Sequence, residues 1–226
     1  MKITLLITCL LISFINQSVA DYAEGTRAFQ NQNYLSAVKA FKNSEDDPNS
    51  LIMLGYMYEN GYGVPQSYIL ARHYYVKANR QGDENAPVLL GLLYHYGNGV
   101  KQDDNTALSY FDNARFSDNQ EVRNPSLTNK ALIEELNGNY TQAYNDFYNA
   151  YTATSCYRLG EIYLQGTGGI EVNYQQAANN FDCAIKLGDY SDGLSGTAAV
   201  LSTLTLKQIQ QLQAGTFEMK ELNTAS

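Results

Sequence analysis

The chain has 226 residues, of which 44% are hydrophobic and 17% are charged, a globular composition that can form a core. Its formal net charge is −8 at pH 7, and loss of the segment that carries Lys2 would make it −9. This acidity argues against nucleic acid or an anionic membrane surface as the partner, and it is compatible with a basic protein partner.

Residues 1–20 have the pattern of a secretory signal peptide. Lys2 provides the positive start, and residues 3–14 form an apolar run that is too short to span a bilayer. Ser18-Val19-Ala20 provides the small residues of a cleavage site, so the mature protein would begin at Asp21. The pattern predicts a periplasmic or secreted protein without stable membrane insertion after cleavage. An uncleaved membrane anchor is the alternative.

The segment 21–48 is predicted to form a pair of helices. Ala28-Phe29 closes the first helix, residues 30–33 turn, and Tyr34 begins the second. The acidic stretch before Ser50 carries residues that cap helices, so the next helix is expected directly after it.

Residues 49–116 contain one pattern twice, at a constant offset of 36 from Gly55–Gly91 to Ala78–Ala114. Leu-Gly followed by Tyr forms one helical stripe, on which glycine lets a neighbouring helix approach, and two later glycines end that helix. Alanine and aromatic residues at i, i+4 and i+7 then form the inner stripe of a second helix. The pattern therefore predicts repeated helical hairpins, each burying its apolar face against its neighbours. The matched positions of the first copy are Leu54, Gly55, Tyr58, Gly61, Gly63, Val64, Ala71, Tyr74, Tyr75 and Ala78.

Residues 117–152 keep only the second half of this pattern. Residues 116–124 are polar and are predicted to form a connection. A helix is predicted over 125–136, where Leu127 stands in place of the expected glycine. Residues 137–140 predict a tight turn, so this segment is a degenerate repeat with a shorter loop.

The pattern returns in residues 153–188, with Leu159-Gly160 on the first helix and Phe181 on the second. Residues 187–193 are predicted to be a loop because they contain glycine and aspartate. Within the C-terminal segment 189–226, a final helix with one polar face is predicted over 197–214. Such a helix would shield the end of the repeat array.

The motif LGxxYxxGxGV followed by xAxxYYxxA resembles the Sel-1-like repeat family, a relative of the tetratricopeptide repeats. The resemblance covers two full units and continues more weakly along most of the mature chain. It implies an all-α fold, an α-solenoid of antiparallel helix pairs in a right-handed superhelix. It also implies a role in protein–protein contact, usually without catalytic activity.

Cys156 and Cys183 are the cysteines of the predicted mature chain. Some secreted members of the family join the two helices of a repeat by a disulfide. Cys156 matches their first cysteine, whereas Cys183 lies two residues before the position of their second. A disulfide is expected in an oxidising compartment and would stabilise by roughly 3 kcal/mol in the chain-entropy account. Two buried free thiols are the alternative.

No catalytic, metal or cofactor site is predicted. His73 and His95 lie on different repeats, without a carboxylate at metal-ligand spacing. Ser36 and Lys39 match the SxxK pattern of serine acyl-enzymes, but the companion motifs SDN and KTG are absent from the sequence.

Tyrosine is the unusual feature of the composition, with 19 Tyr and no Trp. Tyrosine suits contact surfaces because it offers a large area and a hydrogen bond at a small entropy cost. The first helices line the concave face in such solenoids, so their variable positions are the predicted partner-binding face. Alternatively, these tyrosines cover the solenoid's own core. The candidates are Tyr56, Glu59, Leu92, His95, Tyr96, Arg158 and Glu161.

Three functions are therefore considered. The first is an exported scaffold whose concave, tyrosine-rich face binds another protein or peptide. The second is a periplasmic immunity protein that neutralises a secreted toxin, for which an acidic surface would suit a basic effector. The third is a hydrolase acting on cell-wall or β-lactam substrates, which the lack of a nucleophile with an adjacent base disfavours.

Overall fold

The computed structural model describes residues 17–202, and every regular element in that range is helical. The all-α fold of consecutive antiparallel helix pairs is therefore confirmed. Residues 17–30 belong to α1, and a short 3₁₀ turn spans Thr167–Gly169 between α9 and α10. The other helices are α2 Tyr34–Asn43, α3 Pro48–Asn60, α4 Tyr68–Arg80, α5 Ala86–Tyr96, α6 Asp104–Ala114, α7 Gln120–Leu136, α8 Tyr140–Ala150, α9 Ala153–Gln165, α10 Tyr174–Lys186 and α11 Tyr190–Ser202.

The chain divides into two compact units at Ala114, so that α1–α6 form unit 1 and α7–α11 form unit 2. Residues 1–16, which hold most of the predicted signal peptide, lie outside the described residues, as do residues 203–226. Residues 17–20 are helical and continue into α1. No helix of the described range combines the length and the apolar character that crossing a membrane requires.

In unit 1, the hairpins α3–α4 and α5–α6 pack side by side through α4 and α5. Fully buried side chains from these helices, among them Leu51, Leu54, Tyr75 and Leu90, form one core cluster. Asp47 begins α3 by accepting a hydrogen bond from the Ser50 backbone N–H. Gly61 ends α3 in the left-handed conformation, with φ of 73°, which glycine adopts without steric cost.

The glycine of each Leu-Gly pair allows an aromatic ring of the second helix to approach the first helix closely. A Cβ on Gly55 would overlap the buried ring of Tyr75. A Cβ on Gly91 would lie 2.6 Å from Cε1 of Phe111, and one on Gly160 would lie 2.5 Å from Cε1 of Phe181. Each repeat therefore uses the same packing: the first helix has a glycine, and the aromatic ring of the second helix occupies the space that a side chain there would fill.

Unit 2 contains the hairpins α7–α8 and α9–α10, followed by α11, which packs on α10 and α9. Ala131 and Phe147 share a buried cluster with Leu159 and Ile162 across these first two hairpins. Phe181 and Val200 belong to a second cluster toward α11. These two clusters form the core of unit 2 among the described residues.

The predicted start of α7 was wrong. Residues 120–124 are helical rather than a connection, and Pro125 lies inside the helix. Asn119 accepts the Glu121 backbone N–H at 3.0 Å, and Val122 is buried, so the first turn is both capped and packed. Because Pro125 lacks an N–H, the carbonyl of Glu121 loses its helical donor, but Glu121 is exposed and water can take that place.

The predicted loop over 187–193 was also wrong beyond residue 189, because α11 begins at Tyr190. Asp189 accepts a hydrogen bond from the Asp192 backbone N–H at 3.3 Å. Gly193 and Gly196 are not turn residues. A Cβ on Gly193 would lie 2.5 Å from Cγ1 of Ile185, and one on Gly196 would overlap the Phe181 ring. Glycine here permits close helix packing, which sequence alone does not separate from a turn.

Candidate interaction surface on the first helices

The candidate face lies on α3 and α5 in unit 1 and on α9 in unit 2, which are the first helices of three hairpins. The aromatic candidates are exposed, since Tyr56 exposes 39% and Tyr96 64% of its surface. Leu92 is half-buried, and the four charged or imidazole candidates are half-buried too. The surface is described below unit by unit.

Tyr56 belongs to a cluster of four aromatic rings. Its ring centroid lies 5.8 Å from that of Tyr62 and 6.1 Å from that of Phe29, and Tyr34 stacks on Tyr62 at 4.9 Å. Burial, followed by the influence of Tyr62, raises the pKa of the Tyr56 hydroxyl. Tyr56 therefore covers this cluster and also presents part of its ring to solvent.

The aromatic neighbours of Tyr56 were not among the predicted site residues. Phe29 and Tyr34 belong to the preceding hairpin, and Tyr62 lies in the loop after α3, where the second repeat has Asn98. Tyr62 thus stands at the variable position between two loop glycines. An aromatic residue at that position was the sequence signal that could have revealed the cluster.

Glu59 is restrained by a hydrogen bond from a buried tyrosine. Its Oε2 accepts a hydrogen bond of 2.7 Å from the hydroxyl of Tyr75, whose ring is fully buried against Gly55. Burial, with the Glu59 carboxylate as the next cause, raises the pKa of Tyr75 strongly. Glu59 satisfies a buried hydroxyl, so a partner could use only its remaining acceptor capacity.

His95 and Tyr96 form a fixed pair at the end of α5. Nδ1 of His95 lies 2.8 Å from Oδ1 of Asp104, at the start of α6. The sequence did not reveal this pair, because Asp104 reaches His95 only when the loop brings the start of α6 back to the end of α5. The Tyr96 ring lies 4.7 Å from the ring of its neighbour His95, with the two planes tilted by 59°.

In unit 2, Arg158 binds two carboxylates at once. Its Nη2 lies 2.6 Å from Oε2 of Glu135, and its Nη1 lies 2.7 Å from Oε2 of Glu161. The hydroxyl of Tyr157 donates to Oε1 of Glu161 at 3.1 Å. Arg158 and its two carboxylate partners line a hollow of about 260 Å³ together with Tyr140, Gln165 and Thr167. Glu135 was not predicted, since it belongs to α7 in the degenerate repeat.

The structure joins Cys156 of α9 to Cys183 of α10 by a disulfide, with their Cα atoms 5.8 Å apart. This distance is ordinary for a disulfide, although Cys183 is displaced from the family position. The disulfide lies in a cleft of about 390 Å³ lined by three tyrosines and by amide side chains. The tyrosines are Tyr148, Tyr151 and Tyr163, and none belongs to the candidate face.

A buried charged cluster joins the two helices of the degenerate hairpin. Nζ of Lys130 lies 2.7 Å from Oδ2 of Asp146 and 3.3 Å from Oε1 of Glu134. All three side chains are at most 13% exposed. Burial raises the pKa of Glu134, Lys130 opposes this shift, and Asp146 adds to it.

Among the described residues, no group of three His, Cys, Asp or Glu side chains is placed to hold a metal ion. His73 is exposed on α4, and its ring contacts that of Tyr74 at 5.5 Å. Ser36 and Lys39 are both exposed on α2, where the Ser36 backbone N–H donates to Asn33 at the helix start.

Helical hairpins that pack ring against glycine, with exposed aromatic residues held on their first helices, define a helical-repeat scaffold. The model of the Sel1 repeat matches residues 48–83, 88–114 and 153–189. These three segments are Sel1 repeats, so the resemblance seen in the sequence is confirmed. Sel1 repeat folds generally mediate protein–protein interaction, and such scaffolds are typically non-enzymatic.

Two solved structures have a similar fold. One is a protective antigen present in uropathogenic Escherichia coli strains displaying an SLR fold, with a TM-score of 0.73 and 20% identity over 86% of this chain and 43% of that chain. The other is a Sel1 repeat protein from Oxalobacter formigenes, with a TM-score of 0.65 and 21% identity over 76% of this chain and 70% of that chain. The present chain thus spans less than half of the first structure. No curated protein matches.

Proposed function

We propose that this protein is an exported repeat scaffold that binds another protein or a peptide through the first helices of its repeats. The exposure of the Tyr96 ring is the single observation that carries the proposal. Its ring is 64% exposed, although a large aromatic side chain gains free energy by burial. The ring is also held in place by His95, which Asp104 holds in turn.

Such an ordered aromatic ring is a favourable binding group. A side chain that is fixed before binding loses little conformational entropy in the complex. Tyrosine is enriched among the residues that contribute most to binding energy at protein interfaces. Tyr56 supports the same interpretation, because three aromatic neighbours restrain its partly exposed ring.

The charged candidates have a different role in this proposal. Glu59 and Glu161 already accept hydrogen bonds from tyrosines, and Arg158 already binds two carboxylates. Breaking these bonds would cost free energy, so a partner is expected to contact the tyrosine rings and leave the pairs intact. In this proposal the arrangement of the charged pairs contributes to specificity for the partner more than to the affinity of binding.

Export is supported by the signal-like pattern of residues 1–20 and by the pairing of Cys156 with Cys183. If the protein is exported and its signal peptide is cleaved, the protein isolated from the cell envelope or the medium should begin at Asp21. Mass determination of the purified protein tests this directly. A mass that includes residues 1–20 would overturn the cleavage and leave an uncleaved anchor.

A photo-reactive amino acid at position 96, compared with one at position 148, tests the binding surface. Tyr148 is the matched control because it is 67% exposed but belongs to α8, a second helix. In cells, a defined partner is expected to crosslink from position 96 and not from position 148. The purified partner should then bind the Tyr56→Ala, Tyr96→Ala variant at least tenfold more weakly, and the Tyr148→Ala variant with unchanged affinity. Equal crosslinking from both positions, or unchanged affinity of the double variant with native helicity, would overturn the proposed surface.

A further inference from the structure

A cavity of unit 1, of about 530 Å³, is lined by α4, α5 and the loop that precedes α6. Its charged lining consists of Arg72, Lys101 and Asp103, a net charge of +1 in a chain whose formal charge is −8. None of the candidate face residues lines this cavity. It is therefore a feature independent of the surface described above.

Arg72 is the unusual residue of the cavity. Its Nε is buried and has no hydrogen-bond acceptor within residues 17–202. The salt bridges found in that range do not involve Arg72, whereas Arg158 of unit 2 binds two carboxylates. A buried donor without an acceptor costs free energy, and a charged donor costs more. The Nε–H of Arg72 is therefore a donor that an anion in the cavity could satisfy.

The nearby carboxylates are already used. Asp103 accepts hydrogen bonds from the backbone N–H groups of Asn105 and Thr106, at 3.1 and 3.3 Å, and from the Thr106 hydroxyl at 2.6 Å. These bonds to Thr106 hold the pKa of Asp103 below its usual range, so it stays ionised as the cap of α6. Asp104 is bound to His95. To neutralise Arg72, Asp103 would have to give up the bonds that begin α6, and Asp104 would have to give up its bond to His95.

One wall of the cavity is formed by the aromatic ring of Tyr94. The ring of Tyr94 stacks on that of Tyr110, with centroids 5.7 Å apart and planes inclined by 24°. Gly99 and Val100 belong to the lining, and Gln102 adds an amide. The cavity thus combines a forked cation, a second cation and a fixed apolar wall, which suits an anionic group attached to an organic chain.

We propose that this cavity binds a carboxylate of a peptide, with Arg72 as the forked donor, Lys101 as the second cation and Tyr94 against the adjoining residue. Arginine presents parallel N–H groups that match both oxygens of a carboxylate. The net charge of +1 matches a monoanion. A phosphate dianion would leave an excess negative charge beside the ionised Asp103. The carboxylate can come from the C-terminus of a peptide or from an Asp or Glu side chain.

Titration of the full chain with defined peptide pools tests this assignment, using the ¹⁵N–¹H resonance of the Arg72 Nε–Hε group as the reporter. Four pools of N-acetylated tetrapeptides are compared. They are a pool with a free C-terminus and no Asp or Glu, an amidated pool with one Glu, an amidated neutral pool and an amidated phosphoserine pool. A saturable shift with the first or the second pool, and none with the neutral pool, is expected. The pool that shifts the resonance identifies the source of the carboxylate.

The variants Arg72→Met and Arg80→Met provide the matched comparison, because Arg80 is exposed on the same helix. The affinity for the carboxylate pool, measured by peptide fluorescence, should fall at least tenfold for Arg72→Met and less than twofold for Arg80→Met. Arg72→Met should not lower the melting temperature, since it removes a buried Nε–H donor that has no acceptor within residues 17–202. A clear fall in melting temperature would assign Arg72 a structural role instead.

Three results would overturn the proposal. They are no shift with either carboxylate pool, an equal shift with the neutral pool, and unchanged affinity of Arg72→Met. Tighter binding of the phosphoserine pool would overturn the choice of a monoanion. None of these results depends on crosslinking from position 96, so this site and the first-helix surface stand or fall separately.

Discussion

The hairpins α3–α4 and α7–α8 both pack a buried aromatic ring of the second helix against a small residue of the first helix, but they use different positions for that small residue. In α3–α4, Gly55 faces the buried ring of Tyr75, twenty residues later. In α7–α8, the residue twenty positions before Phe147 is Leu127, which could not face that ring so closely. Ala131, sixteen positions before Phe147, is fully buried and shares its cluster. Gly25 and Phe41, of α1 and α2, meet at the same spacing of sixteen.

The length of the turn explains this difference. Residues 61–67 connect α3 to α4, whereas residues 137–139 connect α7 to α8. A turn that is four residues shorter moves the facing position by four residues, which is about one helical turn and therefore the same face of the helix. The repeat requires a small residue opposite the ring, and the turn decides which position that is. Leu127 is thus not a defect of the degenerate repeat.

The largest effect is expected where a large side chain is placed opposite a ring. Gly55→Leu and Ala131→Leu should each lower the free energy of unfolding by about 4 kcal/mol, since overpacking displaces a fully buried aromatic ring. Chemical denaturation measures this loss. Met53→Leu on the same helix as Gly55 is the control and should cost less than about 1.5 kcal/mol. A harmless Ala131→Leu variant would show that the spacing of sixteen does not set the packing of α7 on α8.

A smaller loss is expected on removal of the disulfide, which only unit 2 contains among the described residues. The variant Cys156→Ala, Cys183→Ala opens a loop with a sequence separation of 27 and should lose about 3 kcal/mol in the chain-entropy account. Hydrogen exchange should locate this loss in α9 and α10, with α3–α6 unchanged. Adding a reductant to the unaltered protein should reproduce the effect, and failure to do so would argue that the cysteines do not pair in solution.

The smallest effect is expected at Glu134, in the charged cluster of the degenerate hairpin. Its folded-state pKa is raised by burial, so its protonated form favours folding below the unfolded-state pKa, and this contribution is lost as pH rises through the folded pKa. Glu134→Gln should therefore gain stability over the unaltered protein as pH rises from acidic to neutral. Melting temperatures measured across this range test the sign.

The control for Glu134→Gln is the same substitution at Glu121, an exposed position on the same helix. A stability difference between Glu134→Gln and the unaltered protein that shrinks toward neutral pH would contradict the expectation. That result would mean that attraction to Lys130 outweighs the cost of burial at this carboxylate.

The sequence by itself determined the helical hairpins, because their signals are local. Alanine and aromatic residues recur at helical spacing, and glycine ends α3 and α5 where the left-handed conformation is required. It also singled out the tyrosines of the first helices, and Tyr56 and Tyr96 are indeed exposed.

Only the tertiary structure decided which residues meet. Glycine signals both a turn and a close approach, so the loop predicted over 187–193 included Gly193, which lies in a helix against Ile185. His95 meets Asp104 and Arg158 meets Glu135 because loops and neighbouring hairpins bring separate segments together. The pattern of one sequence indicates the period of each helix and the residues at which it ends. Contacts between helices depend instead on the length of each turn, which sets the register of one helix against the next.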